Sequence, residues 1–213
     1  MSINNIITID GPSASGKGTV AVKLASSLGW HILPSGNIYR TVALNMQRHN
    51  INEEDEDSIV KLAQKTKVLF KIERNQLFSY LLSYDEEKGS NSEGNSEPID
   101  KHLLASELSR LASHIAKYSK LRQVLLPLQR SFAQDPGLVA EGRDMGTVVF
   151  PDAQTKIYLD ASAATRAKRR YVQLREADKT SISEEQVLNE IISRDHADTT
   201  RANAPLKQDL AAI

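Results

Sequence analysis

Apolar residues recur along this chain in short continuous runs and in longer runs at helical spacing. Continuous runs bounded by turns are typical of buried strands, whereas apolar residues at i, i+3 and i+4 predict helices with one buried face. Polar tracts with Gly or Ser between the runs mark turns and loops. In chain order, the pattern predicts strand 6–9, helix 17–27, strand 30–33, a helix from 35, helix 58–65, strands 67–73 and 76–84, helices 102–116 and 121–133, strands 138–140 and 156–160, and helices 161–176 and 183–194.

Two of these segments have distinctive composition. β-Branched and aromatic residues on both sides of Arg74-Asn75 predict a hairpin that turns at this pair. The following tract, residues 85–97, is rich in Ser, Asn, Gly and Glu and has almost nothing to bury, so we predict a mobile loop. Strands that alternate with helices predict an α/β fold with a mostly parallel sheet.

A Gly-rich turn joins the first strand to the first helix. Its pattern matches G-x-x-x-x-G-K-[ST] except that Gly18 takes the Ser/Thr position and Thr19 follows it. In such a loop the glycines let backbone N–H groups face a phosphate, and the lysine can follow a phosphoryl group during transfer. The Gly-Lys-Gly-Thr variant resembles nucleoside monophosphate kinases rather than GTPases. The candidate ATP-binding residues are Gly11, Pro12, Ser13, Ala14, Ser15, Gly16, Lys17, Gly18 and Thr19.

Further charged residues follow two other predicted strands. Ser35 and Arg40 fall on the first turns of the helix after 30–33, where a helix N-terminus and a guanidinium can bind an anion. Glu141, Arg143 and Asp144 follow strand 138–140, at the strand end where open α/β sheets bind ligands. We therefore predict a second anion site beside the Gly-rich loop.

Further charged residues recur at helical spacing towards the C-terminus. Arg166 and Arg170 share a helix face at i, i+4, which predicts a lid that closes over a polyphosphate. Arg194, Asp198 and Arg201 follow i, i+4 and i+7 spacing and should face one way.

The amino-acid composition limits the kinds of molecule that this protein can bind. The chain has 213 residues, 27 Lys plus Arg, 27 Asp plus Glu and no Cys. A balanced charge offers no general attraction to nucleic acid or to anionic membranes, and the lack of Cys excludes thiolate metal sites and a Cys nucleophile. No signal peptide or membrane span is visible, so we expect a cytoplasmic protein.

Taken together, these motifs resemble the bacterial-type cytidylate kinases. The resemblance covers essentially the whole chain and is most specific at EGRDMGTVVF, residues 141–150; it is weakest between about 76 and 111. It implies a P-loop NTPase three-layer sandwich with a mostly parallel central sheet, an inserted nucleoside-monophosphate-binding subdomain and a helical lid. The implied division is core 1–33 and 117–213, subdomain 34–116 and lid 161–180. Family members continue past the position of Ile213 with a strand and a helix, which we expect to be absent here.

The resemblance also implies roles for individual residues. Lys17, Arg143, Arg166 and Arg170 would be catalytic, acting on phosphates by charge. Arg40, Arg143 and Arg201 match positions that hold the phosphate of the monophosphate, with Ser35 beside them; Ser113, Arg122 and Asp144 match positions that contact cytosine; Arg194 and Asp198 match positions that contact ribose. No residue is assigned as a direct metal ligand, but Glu141 or Asp10 would orient Mg²⁺ through water.

The expected reaction is transfer of the γ-phosphoryl group of ATP, with Mg²⁺, to CMP or dCMP, with ATP and the monophosphate as the partners of a monomeric enzyme. Uridylate, adenylate and shikimate kinases share the loop and remain alternatives. A nucleotide-dependent binding switch is a further alternative, although the chain has no Asn-Lys-x-Asp motif for guanine.

Overall fold

The fold is described from a computed structural model of the chain, which describes residues 5–85, 90–103, 105–178 and 182–213. The strands are β1 Ile6–Asp10, β2 His31–Pro34, β3 Lys67–Glu73, β4 Gln76–Asp85, β5 Ser90–Pro98, β6 Leu138–Gly142 and β7 Thr155–Tyr158. The helices are α1 Lys17–Leu28, α2 Ser35–Arg48, α3 Glu56–Lys65, α4 Asp100–Leu103, α5 Ser106–Ile115, α6 Ser119–Arg130, α7 Ala163–Asp178 and α8 Glu184–Thr200, with a π-helical turn at Met145–Val149.

A parallel sheet of order β2-β6-β1-β7 forms the centre of the molecule. Its register pairs Ile6 with Leu138 and Asp10 with Gly142. The strands are short and apolar because helices cover the sheet, and its residues join one large core with α1, α2, α5 and α6. The α/β fold and the parallel central sheet that the sequence predicted are confirmed.

The parallel arrangement brings the carboxyl ends of these strands to one edge. The Gly-rich loop follows β1, helix α2 follows β2 and Arg143 follows β6. Because β6 lies between β1 and β2, Arg143 becomes a neighbour of both the loop and α2, even though more than a hundred residues separate it from the loop in sequence.

Helices α2 to α5 and a second sheet follow β2. This antiparallel sheet has the order β3-β4-β5. Arg74 and Asn75 have φ values of 50° and 62°, which suits the tight hairpin that the sequence predicted at this pair. The sequence was wrong about 85–97: residues 90–98 form β5, which pairs antiparallel with β4, and residues 86–89 lie outside the described part. Backbone pairing along β4 gives this polar tract its extended conformation.

Helices α7 and α8 pack on each other through Ala167, Leu174, Val187 and Ile191, a core separate from the main one. A capping box formed by Ser183 and Gln186 starts α8, at the residue that the sequence predicted. The helix continues to Thr200, beyond the predicted end at 194, which agrees with the i, i+4 and i+7 spacing of Arg194, Asp198 and Arg201. Beyond α8, Ile213 exchanges two backbone hydrogen bonds with Lys156 and Tyr158 on the outer side of β7.

Among the described residues, no helix combines the length and the apolar character that a membrane crossing would require.

Candidate active site

The Gly-rich loop curls tightly between β1 and α1. Gly11 has a φ of 146°, and a Cβ atom there would lie 2.1 Å from the carbonyl oxygen of Leu159, so the loop passes too close to the chain after β7 for any side chain. Ala14 and Gly16 also have positive φ values, of 57° and 104°. Helix α1 begins directly at Lys17. The loop thus presents backbone N–H groups and a helix N-terminus to the same space, the arrangement that binds phosphate.

Lys17 lies inside this loop and is almost fully buried. Its Nζ donates to the carbonyl oxygen of Pro12 at 2.7 Å and to Ser15 Oγ at 3.3 Å. Burial, and repulsion from Arg143, lower the pKa of Lys17 to about 7. The ammonium is therefore only partly stabilised by the protein, and an anion in the loop would restore its charge.

Arginines from four distant elements line the cleft beside the loop: Arg40 of α2, Arg143 after β6, Arg169 and Arg170 of α7, and Arg194 of α8. Burial and repulsion from Arg194 and Arg170 lower the pKa of Arg40 to about 9. Burial and repulsion from Arg143 lower the pKa of Arg194 to about 10. Guanidinium groups stay charged at neutral pH. The Nε atoms of Arg40 and Arg194 are buried, and no described residue accepts a hydrogen bond from them. The cluster therefore suits a polyanion.

Carboxylates fix the orientation of part of this cluster. Arg143 Nε donates to Asp198 Oδ2 at 2.8 Å, and Arg201 NH1 lies 3.9 Å from Asp198 Oδ1. Burial raises the pKa of Asp198, but attraction to Arg143 and Arg194 outweighs it and holds the pKa below its ordinary value. Asp198 is therefore an ionised anchor that connects Arg143 to α8.

At the other end of the cleft, Asp144 pairs with Arg122 of α6, and its second oxygen lies 3.9 Å from Arg201 NH2. The side chain of Asp144 is 6% exposed and that of Arg122 is 12% exposed. Ser113 of α5 lines the same cavity. This end offers a carboxylate acceptor beside a guanidinium donor, the complement of a ring that presents an amine next to acceptor atoms.

Each nitrogen of the Arg166 guanidinium contacts the protein. Nε donates to the carbonyl oxygen of Ala161 at 2.7 Å, NH1 to that of Ser13 at 3.1 Å, and NH2 lies 2.6 Å from Asp195 Oδ2. Arg169 adds a bond from NH1 to the Ser15 carbonyl oxygen at 3.0 Å. Helix α7 is thereby attached directly to the Gly-rich loop.

The two carboxylates that the sequence could not separate have different surroundings. Asp10 is buried, and its oxygens accept hydrogen bonds from the backbone N–H groups of Met145 and Gly146 at 2.9 and 2.8 Å. Glu141 is half-buried and lines the cavity beside Lys17. Among the residues described, none forms a hydrogen bond or an ion pair with the Glu141 carboxylate. An oxygen ligand for Mg²⁺ is thus available at Glu141, whereas both oxygens of Asp10 are occupied.

The cleft contains a cavity of about 670 Å³ that brings most of the predicted residues together. A further cavity of about 950 Å³ continues from it between α5 and α8 and is lined in part by Arg201. Six of the predicted site residues line neither cavity: Asp10, Gly11, Pro12, Ser15, Arg122 and Arg166. Among them, Arg122 contacts the lining residue Asp144, and Arg166 contacts the lining residue Ser13. The predicted residues that line the first cavity are Ser13, Ala14, Gly16, Lys17, Gly18, Thr19, Ser35, Arg40, Ser113, Glu141, Arg143, Asp144, Arg170, Arg194 and Asp198.

Sequence reasoning missed several neighbours of these residues. Tyr39 lines the cavity with a buried hydroxyl that has no hydrogen-bond partner among the described residues, and burial raises its pKa to about 12. Tyr39 falls on the predicted helix from 35, but the sequence does not indicate that its hydroxyl lies in the cavity. Gln129 accepts a hydrogen bond from Ser35 Oγ at 2.8 Å, and Asp195 pairs with Arg166. These contacts are long-range, and no local motif indicates them.

Comparison with known proteins gives a consistent result. The family model described as cytidylate kinase matches residues 7–213. The cytidylate kinase of Aeromonas salmonicida (strain A449) is 45% identical over 202 residues, which cover 95% of this chain and 82% of that protein. The cytidylate kinase of Proteus mirabilis (strain HI4320) is 44% identical over 94% of this chain and 83% of its own length. That of Escherichia fergusonii is 44% identical over 96% of this chain and 84% of its own length.

Among solved structures, TT1252 from Thermus thermophilus aligns over 94% of this chain and 85% of its own, with 16% identity and a TM-score of 0.38. That likeness is too low to support an argument about either fold or function.

Proposed function

The chain belongs to the cytidylate kinase family, and from this premise we propose that it transfers the γ-phosphoryl group of ATP to CMP or dCMP. The observation that carries the proposal is the cluster of Arg40, Arg143 and Arg194 beside the Gly-rich loop, in which the buried Nε atoms of Arg40 and Arg194 have no acceptor among the described residues. A protein that binds one nucleotide as a switch has no need of a second polyanion site. A phosphotransferase requires one.

The loop residues 11–19 would hold the phosphates of ATP, and Lys17 would bridge the donor and acceptor phosphates. Arg40, Arg143 and Arg201, with Ser35 nearby, would hold the phosphate of CMP. Arg194 and Asp198 would face the ribose. Ser113 and Asp144 would contact cytosine, with Arg122 acting through its ion pair with Asp144. The exocyclic amine of cytosine needs an acceptor such as the Asp144 carboxylate. Uracil presents a carbonyl at that position, so UMP would be the poorer acceptor.

Phosphoryl transfer here would depend on positioning and charge. An oxygen of the CMP phosphate attacks the γ-phosphorus of ATP, the bond from that phosphorus to the β–γ bridging oxygen breaks, and ADP leaves with the electron pair. The attacking oxygen carries no proton at neutral pH, so no general base is required. Lys17, Arg143 and Arg170 would stabilise the charge that spreads over the transferred group. Helix α7, attached to the loop, would keep water from the reaction.

The donor set also fits Mg²⁺ bound with ATP. Glu141 would hold the ion through water, because it lines the same cavity as Lys17 and its carboxylate is not used by another described residue. When bound, Mg²⁺ supplies charge neutralisation at the phosphates. A monomeric enzyme that acts in the cytoplasm remains our expectation for its physiological form.

An acceptor screen tests this function. Initial rates of ADP release should be measured with ATP and Mg²⁺ in the presence of CMP, dCMP, UMP, AMP, shikimate or no acceptor. We expect CMP or dCMP to give the highest kcat/KM. UMP, AMP or shikimate as the best acceptor would assign the chain to another kinase specificity. ATP binding without acceptor-dependent release of ADP would favour a binding switch.

A further inference from the structure

Asp144 occupies an unusual position at the start of the π-helical turn Met145–Val149. Asp144 is the N-cap residue of this turn, and its carbonyl oxygen accepts hydrogen bonds from the N–H groups of Val148 and Val149 at 2.9 and 3.1 Å. An Asp at an N-cap normally accepts hydrogen bonds from the first free backbone amides with its own carboxylate. Here the Asp144 side chain makes no capping bond and pairs with Arg122 instead.

Asp10 supplies the missing acceptors from a different strand. Its Oδ1 accepts from Met145 N at 2.9 Å, and its Oδ2 accepts from Gly146 N at 2.8 Å. Both amides belong to the first residues of the turn, which have no acceptor within it. The carboxylate of Asp10 thus replaces that of Asp144 at the amino end of the turn, across 135 residues of sequence.

The turn also approaches β1 closely. A Cβ atom at Gly146 would lie 2.9 Å from Thr8 Oγ1 and 3.2 Å from Lys156 Cδ, so a side chain at this position would have to displace Thr8 or Lys156 for the amide to stay within reach of Asp10. The backbone of Asp10 is itself fixed, because it pairs with Gly142 on one side and with Tyr158 on the other. The position of the turn is therefore set by the last residue before the Gly-rich loop.

We propose that Asp10 is a positioning residue that takes over the capping of the 145–149 turn and so leaves the Asp144 carboxylate available for the cytosine ring. The inference rests on the proposed function, since it concerns how Asp144, the residue proposed to contact the base, is held in place. It also replaces the Mg²⁺ role that the sequence left open for Asp10. Burial raises the pKa of Asp10 to about 6 even though both amides lower it, so at neutral pH the ionised carboxylate is available to both N–H groups.

The test measures CMP binding by calorimetry in magnesium-free buffer without ATP, for wild type, Asp10→Asn, Asp144→Asn and the double variant. In Asp10→Asn one amide loses its acceptor, because the NH₂ group of Asn cannot accept. The Asp144 side chain can then turn back to cap the helical turn. We expect Asp10→Asn to bind CMP at least tenfold more weakly than wild type. The double variant should bind CMP no more weakly than Asp144→Asn does, because both substitutions remove the same interaction. Asp152→Asn, at an exposed acid after the turn, is the matched control.

The possible outcomes distinguish failure of the proposed function from failure of the positioning role of Asp10. If wild type neither binds nor phosphorylates CMP, the proposed function fails. If wild type binds CMP and Asp10→Asn binds it equally well without magnesium, the positioning role is wrong. Additive losses in the double variant would also overturn the role, because Asp10 would then act independently of Asp144.

A second measurement does not depend on the folding of a variant. In wild type, the amide protons of Met145 and Gly146 should exchange slowly with solvent, and CMP should slow them further by holding Asp144 in place. Rapid exchange, or protection that CMP does not change, would contradict the proposal.

Discussion

Arg143 Nε donates a 2.8 Å hydrogen bond to Oδ2 of Asp198 and thereby joins the end of β6 to the last turns of α8. The side chain of Arg143 is 17% exposed and that of Asp198 is 7% exposed, so the guanidinium is held in one direction without ligand. A charge that is fixed before the substrate arrives needs no reorganisation during reaction. This relation makes Arg143 the arginine from which we expect the largest catalytic effect.

Arg143→Ala should lower kcat/KM for CMP by about 10² to 10³, equivalent to about 3 kcal/mol of transition-state stabilisation. The reason is the loss of a fixed positive charge where negative charge develops. Steady-state kinetics with CMP would measure the effect. Arg175→Ala removes an exposed arginine near the end of α7 and serves as the control. Unchanged turnover in Arg143→Ala would refute the role that we assign.

Asp144→Asn should relax the choice of base. The amide can present its NH₂ group to the carbonyl of uracil, whereas the carboxylate of wild type repels it. We expect the ratio of kcat/KM for CMP to that for UMP to fall by about tenfold or more, corresponding to about 1–3 kcal/mol. Asp152→Asn should leave the ratio unchanged. An unaltered ratio in Asp144→Asn would mean that another group reads the base.

ATP binding should be accompanied by proton uptake at Lys17. Burial and repulsion from Arg143 lower the pKa of Lys17 to about 7 in the free protein, so much of this side chain is neutral at pH 8. Bound phosphates favour the charged form and raise the pKa. Calorimetry at pH 8 in buffers of different ionisation enthalpy should therefore detect proton uptake, which should decline towards pH 6, where Lys17 is already protonated. Lys17→Arg, which stays charged, should show none of this uptake.

Anions should stabilise the free protein. Arg40, Arg143 and Arg194 repel one another in the empty cleft, so an ion that binds there raises the free energy of unfolding. At about 100 times its Kd, CMP should contribute about 2.7 kcal/mol, a rise in Tm of roughly 5–10 °C. Cytidine, which lacks the phosphate, should give a much smaller shift in thermal denaturation. Arg194→Gln should reduce the CMP shift and Arg175→Gln should not. Equal shifts from CMP and cytidine would place the phosphate outside the cluster.

Arg166→Lys should affect ATP more than CMP. A lysine cannot reach Ala161, Ser13 and Asp195 together, so α7 would lose part of its attachment to the loop. We expect a several-fold rise in KM for ATP with little change in KM for CMP, and a similar result for Asp195→Asn because it removes the same ion pair. Arg175→Lys is the control. A fall in kcat alone, with both KM values unchanged, would favour direct contact of Arg166 with the transferred group.

The sequence predicted those features that have local causes. The strand, glycines, Lys17 and helix of the Gly-rich loop lie next to one another, and the Arg74-Asn75 pair indicates its own turn. Strand β5 could not be found in this way, because its polar residues become extended only by pairing with β4. The end of α8 was placed too early, because the apolar spacing stops near 194 and only the charged residues Arg194, Asp198 and Arg201 continue the helical spacing.

The site was predictable as a set of residues but not as a set of contacts. Spacing and resemblance indicated Arg143, Asp144 and Asp198, and the structure places all three in one cleft. The amides that bind Asp10 and the Ser13 carbonyl that binds Arg166 lie more than a hundred residues away in sequence. That the Tyr39 hydroxyl has no partner among the described residues is visible only in three dimensions. Such contacts arise because parallel strands bring distant turns to one edge of the sheet.

A crystal structure with CMP and a non-transferable ATP analogue would test the central claim most directly. We predict the γ-phosphate against the backbone N–H groups of 11–19, and the CMP phosphate within hydrogen-bond distance of Arg40 and Arg143. The two phosphates would lie in line for transfer. A CMP phosphate bound away from these arginines, or a monophosphate that cannot bind while the loop holds the analogue, would contradict the account.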